Sequence, residues 1–490
     1  MKRLNYKVST LCIATFILVA AVAWGALGAM PHLEDEHANV FQARVFASGR
    51  VTADEPPVQP TSFFIPFIIH YDGQAFGKYT PGYPLVLSIG ALINQQWLIN
   101  ALAASLTVLG VYLLGRDLFD SNVGLLAAAL GAIAPMFLML SGTLLAHTTT
   151  MCALVFFAWA FIRARRSTEP RRFRFAILSG GSIGWALITR PWTAIAIGTP
   201  FALLALIDLL RGPRQNIGAY GRMILAFVLI VSIWPLFNTW TTGSPTTNTY
   251  TMWWPYDSVG FGPSVGRGTD GHTWDKAMLN FRLDFQPFGE AWLGWPSVAG
   301  WSLAWLPIAL GLVWPKRDRC DWALMIPPAL LIIAYLAYWA RGAGLFGPRY
   351  YAEGMPFLWI VAARGLIKFG STIWPRRLVK VALPILIAWN IVFSIEPRFL
   401  QSFEQYRSAR ENIDRIAAAK LHHALVFVHT DIWTDYADLG WLNEPQLVES
   451  DVLFAQDYGA IVDGSIIRAF PDRKVYYYDK TQAVPLVAGR

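Results

Sequence analysis

The chain has 490 residues, of which 55% are hydrophobic and only 15% charged, with 22 Trp, 18 Tyr and 30 Phe. No soluble domain of that size could hide so much apolar surface in one core, so the composition points to a multi-pass membrane protein. The net charge of +8 does not mark a nucleic-acid partner, because Arg and Lys fall in short clusters between apolar runs, a distribution that sets membrane topology.

In chain order, Lys2, Arg3 and Lys7 precede an apolar run from Val8 to Met30. That run is too long for the core of a cleaved signal peptide, and about 20 apolar residues suffice to span a bilayer, so an uncleaved signal anchor is expected. Windows of about 19 residues give eleven expected spans, at 8–30, 96–115, 122–140, 143–162, 173–190, 191–210, 222–241, 297–314, 322–340, 355–370 and 378–395. Every second connection is basic: the N-terminus, Arg116, Arg163 to Arg174, Arg211 to Arg222, Lys316 to Arg319, and Lys368 to Lys380. By the positive-inside rule these face the cytoplasm. The other side then receives residues 31–95, the turns near Ser141 and Arg190, the loop 242–296, the stretch from Arg341 to Tyr351, and everything after Glu396. The expectation is a plasma or inner membrane protein with a cytoplasmic N-terminus and an extracytoplasmic C-terminus. Cys12, Cys152 and Cys320 all fall outside the outer segments, so no disulfide is expected.

Directly after the first span comes His32-Leu33-Glu34-Asp35-Glu36-His37. Three adjacent carboxylates at the mouth of a bilayer mark either a functional site facing a water-filled cavity or a solvated helix start, where acidic residues favour the dipole. The same residues are potential ligands for a hard cation. Their spacing matches no His-Glu-x-x-His zinc pattern, so no metal is assigned and a divalent ion stays open. From Ala38 to Ser48, Phe41, Val45 and Phe46 recur at helical spacing, which suits a helix lying in the interface. A proline-rich extended piece, Pro56-Pro57-Val58-Gln59-Pro60, follows. Gly73-Gln74-Ala75-Phe76-Gly77-Lys78-Tyr79 looks briefly like a phosphate-binding loop, but it is one spacer short and places Tyr79 where Ser or Thr would ligate magnesium. Nucleotide binding is therefore not expected.

The loop 242–296 carries Trp253-Trp254-Pro255-Tyr256-Asp257 and a glycine-rich run from Gly260 to Gly268. Its aromatic residues are interfacial anchors or platforms for sugar rings. Arg190-Pro191 and Arg349-Tyr350 lie in short outer turns, where positive charge is disfavoured. Such arginines suit an anionic partner, or they snorkel to lipid phosphates. His147, in the fourth span, reads as a helix-packing group. Past Arg398 the composition becomes that of a soluble module: an amphipathic helix over Gln401 to Lys420, and strands at Ala424 to His429 and Arg473 to Tyr478. The domain expectation is thus a membrane domain at 1–395 and a small extracytoplasmic α/β module at 396–490.

The order of features resembles a known group. Asp35-Glu36 after the first span, Lys78-Tyr79-Thr80-Pro81-Gly82-Tyr83-Pro84 before the second, Thr189-Arg190-Pro191 in mid-chain, and Gly347-Pro348-Arg349-Tyr350-Tyr351 with Pro356 before the tenth are similar to the C-type (GT-C) glycosyltransferases. Among these, the protein O-mannosyltransferase and lipid A aminoarabinose transferase group is nearest. The resemblance implies an all-α polytopic fold of about eleven transmembrane helices and a cell-envelope enzyme of hexosyl or pentosyl type. Its donor would be a polyprenyl-phosphate sugar, and its acceptor a hydroxyl of a glycan, lipid or protein. It implies Asp35 as the catalytic carboxylate with Glu36 beside it, and Lys78, Tyr79, Arg349 and Tyr350 at the donor phosphate. Glu34, His37 and Arg190 stand as supporting residues. Glu34 and the flanking histidines depart from the family pattern, so which of Glu34, Asp35 and Glu36 acts as base stays open.

The chemistry is compatible with those roles. A hydroxyl attacking an anomeric carbon needs a base within hydrogen-bond reach, and a departing lipid phosphate needs cations where its charge grows. Two other classes compete. A transporter or flippase would carry ionisable groups near mid-membrane in interrupted helices, whereas here they collect on the outer face. A non-catalytic assembly subunit would work through its C-terminal part, and Asp35 would be dispensable.

Overall fold

The computed structural model describes residues 6–211, 215–313, 318–342, 346–371, 373–430, 433–482 and 486–488. Lys2, Arg3, Lys316 and Arg317, used above to orient the chain, lie outside the described residues. Among those described, seven helices are long and apolar enough to cross a membrane: Tyr6–Ala26, Trp97–Leu118, His147–Arg166, Pro191–Arg211, Ile217–Thr242, Arg319–Leu336 and Pro375–Gln405. An eighth span results if Ser121–Ala132 and Pro135–Gly142, bent by 58°, count as one.

The eleven expected from the sequence are thus met in part, because helices at other expected places are short or charged. Met355–Phe369, at the centre of the bundle with Trp359 edge-on to Phe137, has 15 residues, fewer than the ~20 that a full crossing takes, and Arg171–Thr189 opens with Arg171, Arg172 and Arg174. The stretch 297–314 opens instead as a short hairpin and reaches helix only at Leu306–Val313.

The elements that build the site come early. Helix α1 (Tyr6–Ala21) continues through a wider turn and breaks at Gly28 and Ala29, both with positive φ, before α2 (Glu34–Ala47) starts. Glu36, three residues into α2, reaches back to the N–H groups of His32 and Leu33 at 2.9 and 2.8 Å, a capping arrangement that fixes the helix start. Strands β1 (Ala53–Asp54), β2 (Ile68–Tyr71) and β3 (Gln74–Gly77) form an antiparallel sheet in the order β1-β3-β2. Tyr71 pairs with Gln74 across Asp72-Gly73, both at positive φ, the two-residue turn that suits a twisted hairpin. The phosphate-loop lookalike is therefore a hairpin arm.

Next come α3 (Gly82–Ala91), α4 (Trp97–Leu118), α5 (Ser121–Ala132), α6 (Pro135–Gly142), α7 (His147–Arg166), α8 (Arg171–Thr189), α9 (Pro191–Arg211), α10 (Gln215–Val231) and α11 (Ile233–Thr242). A Cβ on Gly82 would fall 2.5 Å from Thr189 Oγ1 and 2.6 Å from the Ile188 carbonyl, so only glycine lets α3 meet the end of α8 this closely. Thr80 Oγ1 donates to the Thr189 carbonyl at 3.1 Å. These contacts bring the Lys78-Tyr79 segment beside Arg190.

After the small hairpin of β4 (Ser297–Val298) and β5 (Trp301–Ser302), the last sheet contains β6 (Ala424–Val428), β7 (Val452–Gln456), β8 (Lys474–Tyr478) and β9 (Leu486–Ala488), in the order β7-β6-β8-β9. The first three are parallel, and β9 runs antiparallel. Every residue of β6 is buried, as expected of a central parallel strand covered on both faces. This part grips α2: Arg44 donates to the carbonyls of Trp441 and Asn443 at 2.8 Å each and pairs with Glu444 at 2.7 Å. The interface helix expected at Ala38 to Ser48 is thus corrected. It is part of α2 and mostly buried, between the β2–β3 hairpin, α3 and the last sheet.

Candidate active site

Successive residues of an α-helix turn by about 100°, so Glu34, Asp35 and Glu36 cannot all face one way. Glu36 points into protein, where its second oxygen accepts from the Leu144 N–H at 2.6 Å. With three backbone donors on one fully buried carboxylate, Glu36 ties the start of α2 to the turn after α6. Burial pushes its pKa up, and the three amides pull it back. His37 is buried edge-on to Trp433 at 6.2 Å, and burial pushes it down to about 3. Neither residue lines the cavity described next.

Glu34 and Asp35 face a cavity of about 1050 Å³, which Lys78, Tyr79, Arg190, Arg349 and Tyr350 also line. The structure therefore gathers seven of the expected site residues, from four distant stretches of chain, around one space. Asp35 holds two of them. Tyr79 Oη donates to Asp35 Oδ1 in a short hydrogen bond, and Arg349 Nη2 donates to Oδ2 at 2.9 Å. Burial acts to lower the Arg349 pKa, but Asp35 together with Tyr350 and Tyr79 outweighs it, and the net shift is upward. Glu34 is partly exposed; burial and neighbouring Asp35 push it up, against Lys78 and Arg267.

Lys78 is placed differently from a simple cavity-facing cation. Its side chain is 3% exposed, with Nζ 3.2 Å from Asp257 Oδ2. The ammonium lies 3.8 Å from the ring centre of Phe67 and 4.5 Å from that of Trp254, within cation–π range. Burial lowers its pKa, and Asp257 holds it up. The other oxygen of Asp257 accepts from Tyr338 Oη and Trp339 Nε1, each at 3.1 Å.

On the floor of the cavity Arg190 lies in a second buried group. Its Nε is 3.0 Å from Glu353 Oε1, its Nη2 donates to Tyr335 Oη at 2.9 Å, and His147 Nδ1 lies 3.0 Å from the same Glu353 oxygen. Burial pushes Glu353 up to about 7, against the pull of Arg190. Tyr350 stacks on Tyr335 at 4.8 Å, and burial raises its hydroxyl to about 12.

Three of these residues carry little signal in the sequence. Asp257 ends the Trp253 to Asp257 string, which drew attention only for its aromatics. Glu353 follows Arg349 by four residues, a spacing that could have flagged it. His147, whose place in the fourth span suggests helix packing, hydrogen-bonds into the cavity floor. Among the described residues, no three His, Cys, Asp or Glu side chains are grouped as a metal ion would require.

Known proteins share this architecture. Residues 79–234 match the family model of dolichyl-phosphate-mannose-protein mannosyltransferase. The structure resembles that of ArnT from Cupriavidus metallidurans in the apo state, with a TM-score of 0.61 at 14% identity over 96% of this chain and 93% of that one. The chain has the GT-C fold. ArnT from Cupriavidus metallidurans bound to undecaprenyl phosphate is similar too, with a TM-score of 0.59 at 13% identity, covering 94% of this chain and 89% of that chain. A comparison with the curated proteins finds no sequence match. The resemblance drawn from the short motifs thus holds at the level of the GT-C fold and of a multi-pass membrane protein.

Proposed function

We propose that this GT-C protein is a glycosyltransferase that moves a hexosyl or pentosyl unit from a polyprenyl-phosphate donor to an extracytoplasmic hydroxyl, with inversion at the anomeric carbon. The observation that carries the reading is the convergence of Asp35, Arg349, Arg190 and Lys78 on one cavity. Asp35 is the base. Its Oδ2 is held by Arg349, and the donor phosphate competes for that guanidinium. When Arg349 turns to the phosphate, Oδ2 is freed for the acceptor hydroxyl. The acceptor oxygen then forms its bond to the anomeric carbon as its proton passes to Asp35, and the bond from that carbon to the phosphate oxygen breaks with its electron pair staying on the phosphate. Arg349, Arg190 and Lys78 stabilise the charge that develops there, while the hydroxyls of Tyr79 and Tyr350 orient the carboxylate and the donor. Glu36 and His37 act as scaffold for α2.

Support for the donor class comes from the family match and from the ArnT fold, a protein captured with undecaprenyl phosphate. The domain assignment goes with this reading: residues 1–395 form the transferase domain, with the cavity on the extracytoplasmic side, and residues 396–490 form a module that holds α2. The acceptor is a glycan, lipid or protein, and a divalent ion has no assigned role.

The test uses purified full-length protein with a panel of polyprenyl-phosphate sugars, comparing wild type with Asp35→Asn. Release of polyprenyl phosphate by wild type, falling at least about a hundredfold in the variant while it stays folded, is the expected result for a lost general base. Full activity in Asp35→Asn sinks the mechanism. Absence of both donor binding and release for every sugar tested points instead to a transporter.

A further inference from the structure

A second cavity, of about 850 Å³, lies at the other end of the same helices. The active-site cavity meets the starts of α7 and α9, the end of α8 and the end of Ile326–Leu336, at His147, Pro191, Thr189 and Tyr335. The second meets the opposite ends of those four helices, at Arg165, Asp208, Arg172 and Ile326. A 20-residue helix such as α7 is about 30 Å long, so one cavity opens near each face of the bilayer.

The walls of the second cavity are apolar, with Phe161, Phe201, Leu204, Met223, Leu330 and Phe357 among them. Its polar edge carries four arginines, Arg165, Arg166, Arg172 and Arg319, against one carboxylate, Asp208. That carboxylate is already used. Arg165 takes it through two hydrogen bonds of 2.6 and 2.8 Å, and Tyr220 Oη adds a third at 2.6 Å. Among the described residues, the side chains of Arg166 and Arg172 bond only backbone carbonyls, of Asp117 and Ser167. Arg319 is exposed and makes no side-chain hydrogen bond or ion pair among the described residues. Three guanidinium groups thus stand over an apolar space between helices with no carboxylate bonded to them among the described residues. Basic pockets of this kind at helix ends suit the phosphate of an anionic lipid whose chains fill the apolar part.

We propose that this cavity binds an anionic phospholipid of the bilayer, with its phosphate on Arg166, Arg172 and Arg319 and its acyl chains against α8, α9 and Ile326–Leu336. The site is separate from the transferase cavity and stands whether or not the transferase reading does. A zwitterionic lipid offers the same phosphate but brings its own cation towards the arginines, so headgroup charge decides the preference.

The test titrates phosphatidylglycerol and phosphatidylcholine of matched chains into the full-length protein in detergent, with bound lipid counted by native mass spectrometry. Wild type is expected to hold phosphatidylglycerol at least about tenfold more tightly. The triple variant Arg166→Gln/Arg172→Gln/Arg319→Gln should weaken it roughly a hundredfold, at about fivefold per arginine, weaken phosphatidylcholine less, and so abolish the preference. Ala323→Trp, at an exposed position on the cavity wall, fills the apolar space without altering charge and should weaken both lipids. Equal affinity of wild type for the two lipids, or phosphatidylglycerol binding unaffected by Ala323→Trp, overturns the proposal even if the triple variant does not fold.

Discussion

Replacing Lys78 by Met separates the two roles that the structure gives this residue. The side chains of Lys78 and Asp257 are 3% and 2% exposed and 3.2 Å apart, so the pair is a buried ion pair. Methionine keeps an unbranched stem among Phe67, Trp254 and Tyr79 but removes the charge. Breaking a buried pair by deleting one partner costs about 3–5 kcal/mol, because the other charge is left uncompensated. Asp257 keeps its hydrogen bonds from Tyr338 and Trp339, which places the expected cost at the low end, about 3 kcal/mol. Lys78→Met/Asp257→Asn removes the stranded charge while an amide oxygen still accepts from those donors, so it should recover about 2 kcal/mol of that loss. Transfer should not recover, since the cation for the donor phosphate is gone in both variants. Unfolding free energy in denaturant, followed by tryptophan fluorescence in detergent, gives the first quantity, and release of polyprenyl phosphate gives the second. A single variant as stable as wild type refutes the buried-pair argument. A double variant with restored transfer refutes the role of Lys78 at the phosphate.

Three further outcomes follow from the geometry. Glu36→Gln turns an amide NH₂ towards backbone donors and should cost about 2–4 kcal/mol of stability; the folded fraction should keep kcat/KM within about tenfold of wild type, far above Asp35→Asn, and a loss equal to that of Asp35→Asn would return Glu36 to the chemistry. Arg349→Met removes a charge-assisted contact worth about 1.5–3 kcal/mol and should raise the donor KM by about tenfold or more in steady-state assays; an unchanged KM would contradict its place at the phosphate. Burial holds Glu353 at about 7, above its ordinary value of 4.5, so between those values the native protein binds more protons than the unfolded chain. Stability should therefore fall as pH rises from 4.5 to 7, by roughly 3 kcal/mol in total. Glu353→Gln should flatten that slope in unfolding measured across the range, and an identical slope in wild type and variant would refute the assignment.

Much of the site was legible because short motifs preserve which residue types occur together in order. Asp35, Lys78-Tyr79, Arg190 and Arg349-Tyr350 each drew attention in their own stretch, and they meet at one cavity. Asp72-Gly73 was a readable hairpin signal, but the resemblance of the following residues to a phosphate loop obscured it. Hydropathy marked where apolar helices lie but not how long each runs, so Met355–Phe369, at 15 residues, falls short of the ~20 residues of a full crossing. The division of labour among Glu34, Asp35 and Glu36 could not be read at all, because which way a helical side chain faces depends on what packs around the helix.

By itself the sequence determined the membrane character, the GT-C resemblance and a first set of candidate charged residues that lacked Asp257 and Glu353, since apolar content and local motifs are properties of the chain taken stretch by stretch. Only the tertiary structure decided that Asp35 faces the cavity while Glu36 caps a helix, that Asp257 neutralises Lys78, and that Glu353 joins His147 and Arg190. Those pairings link residues 108 to 314 positions apart, and a contact across that separation depends on how the helices pack, which no local pattern encodes.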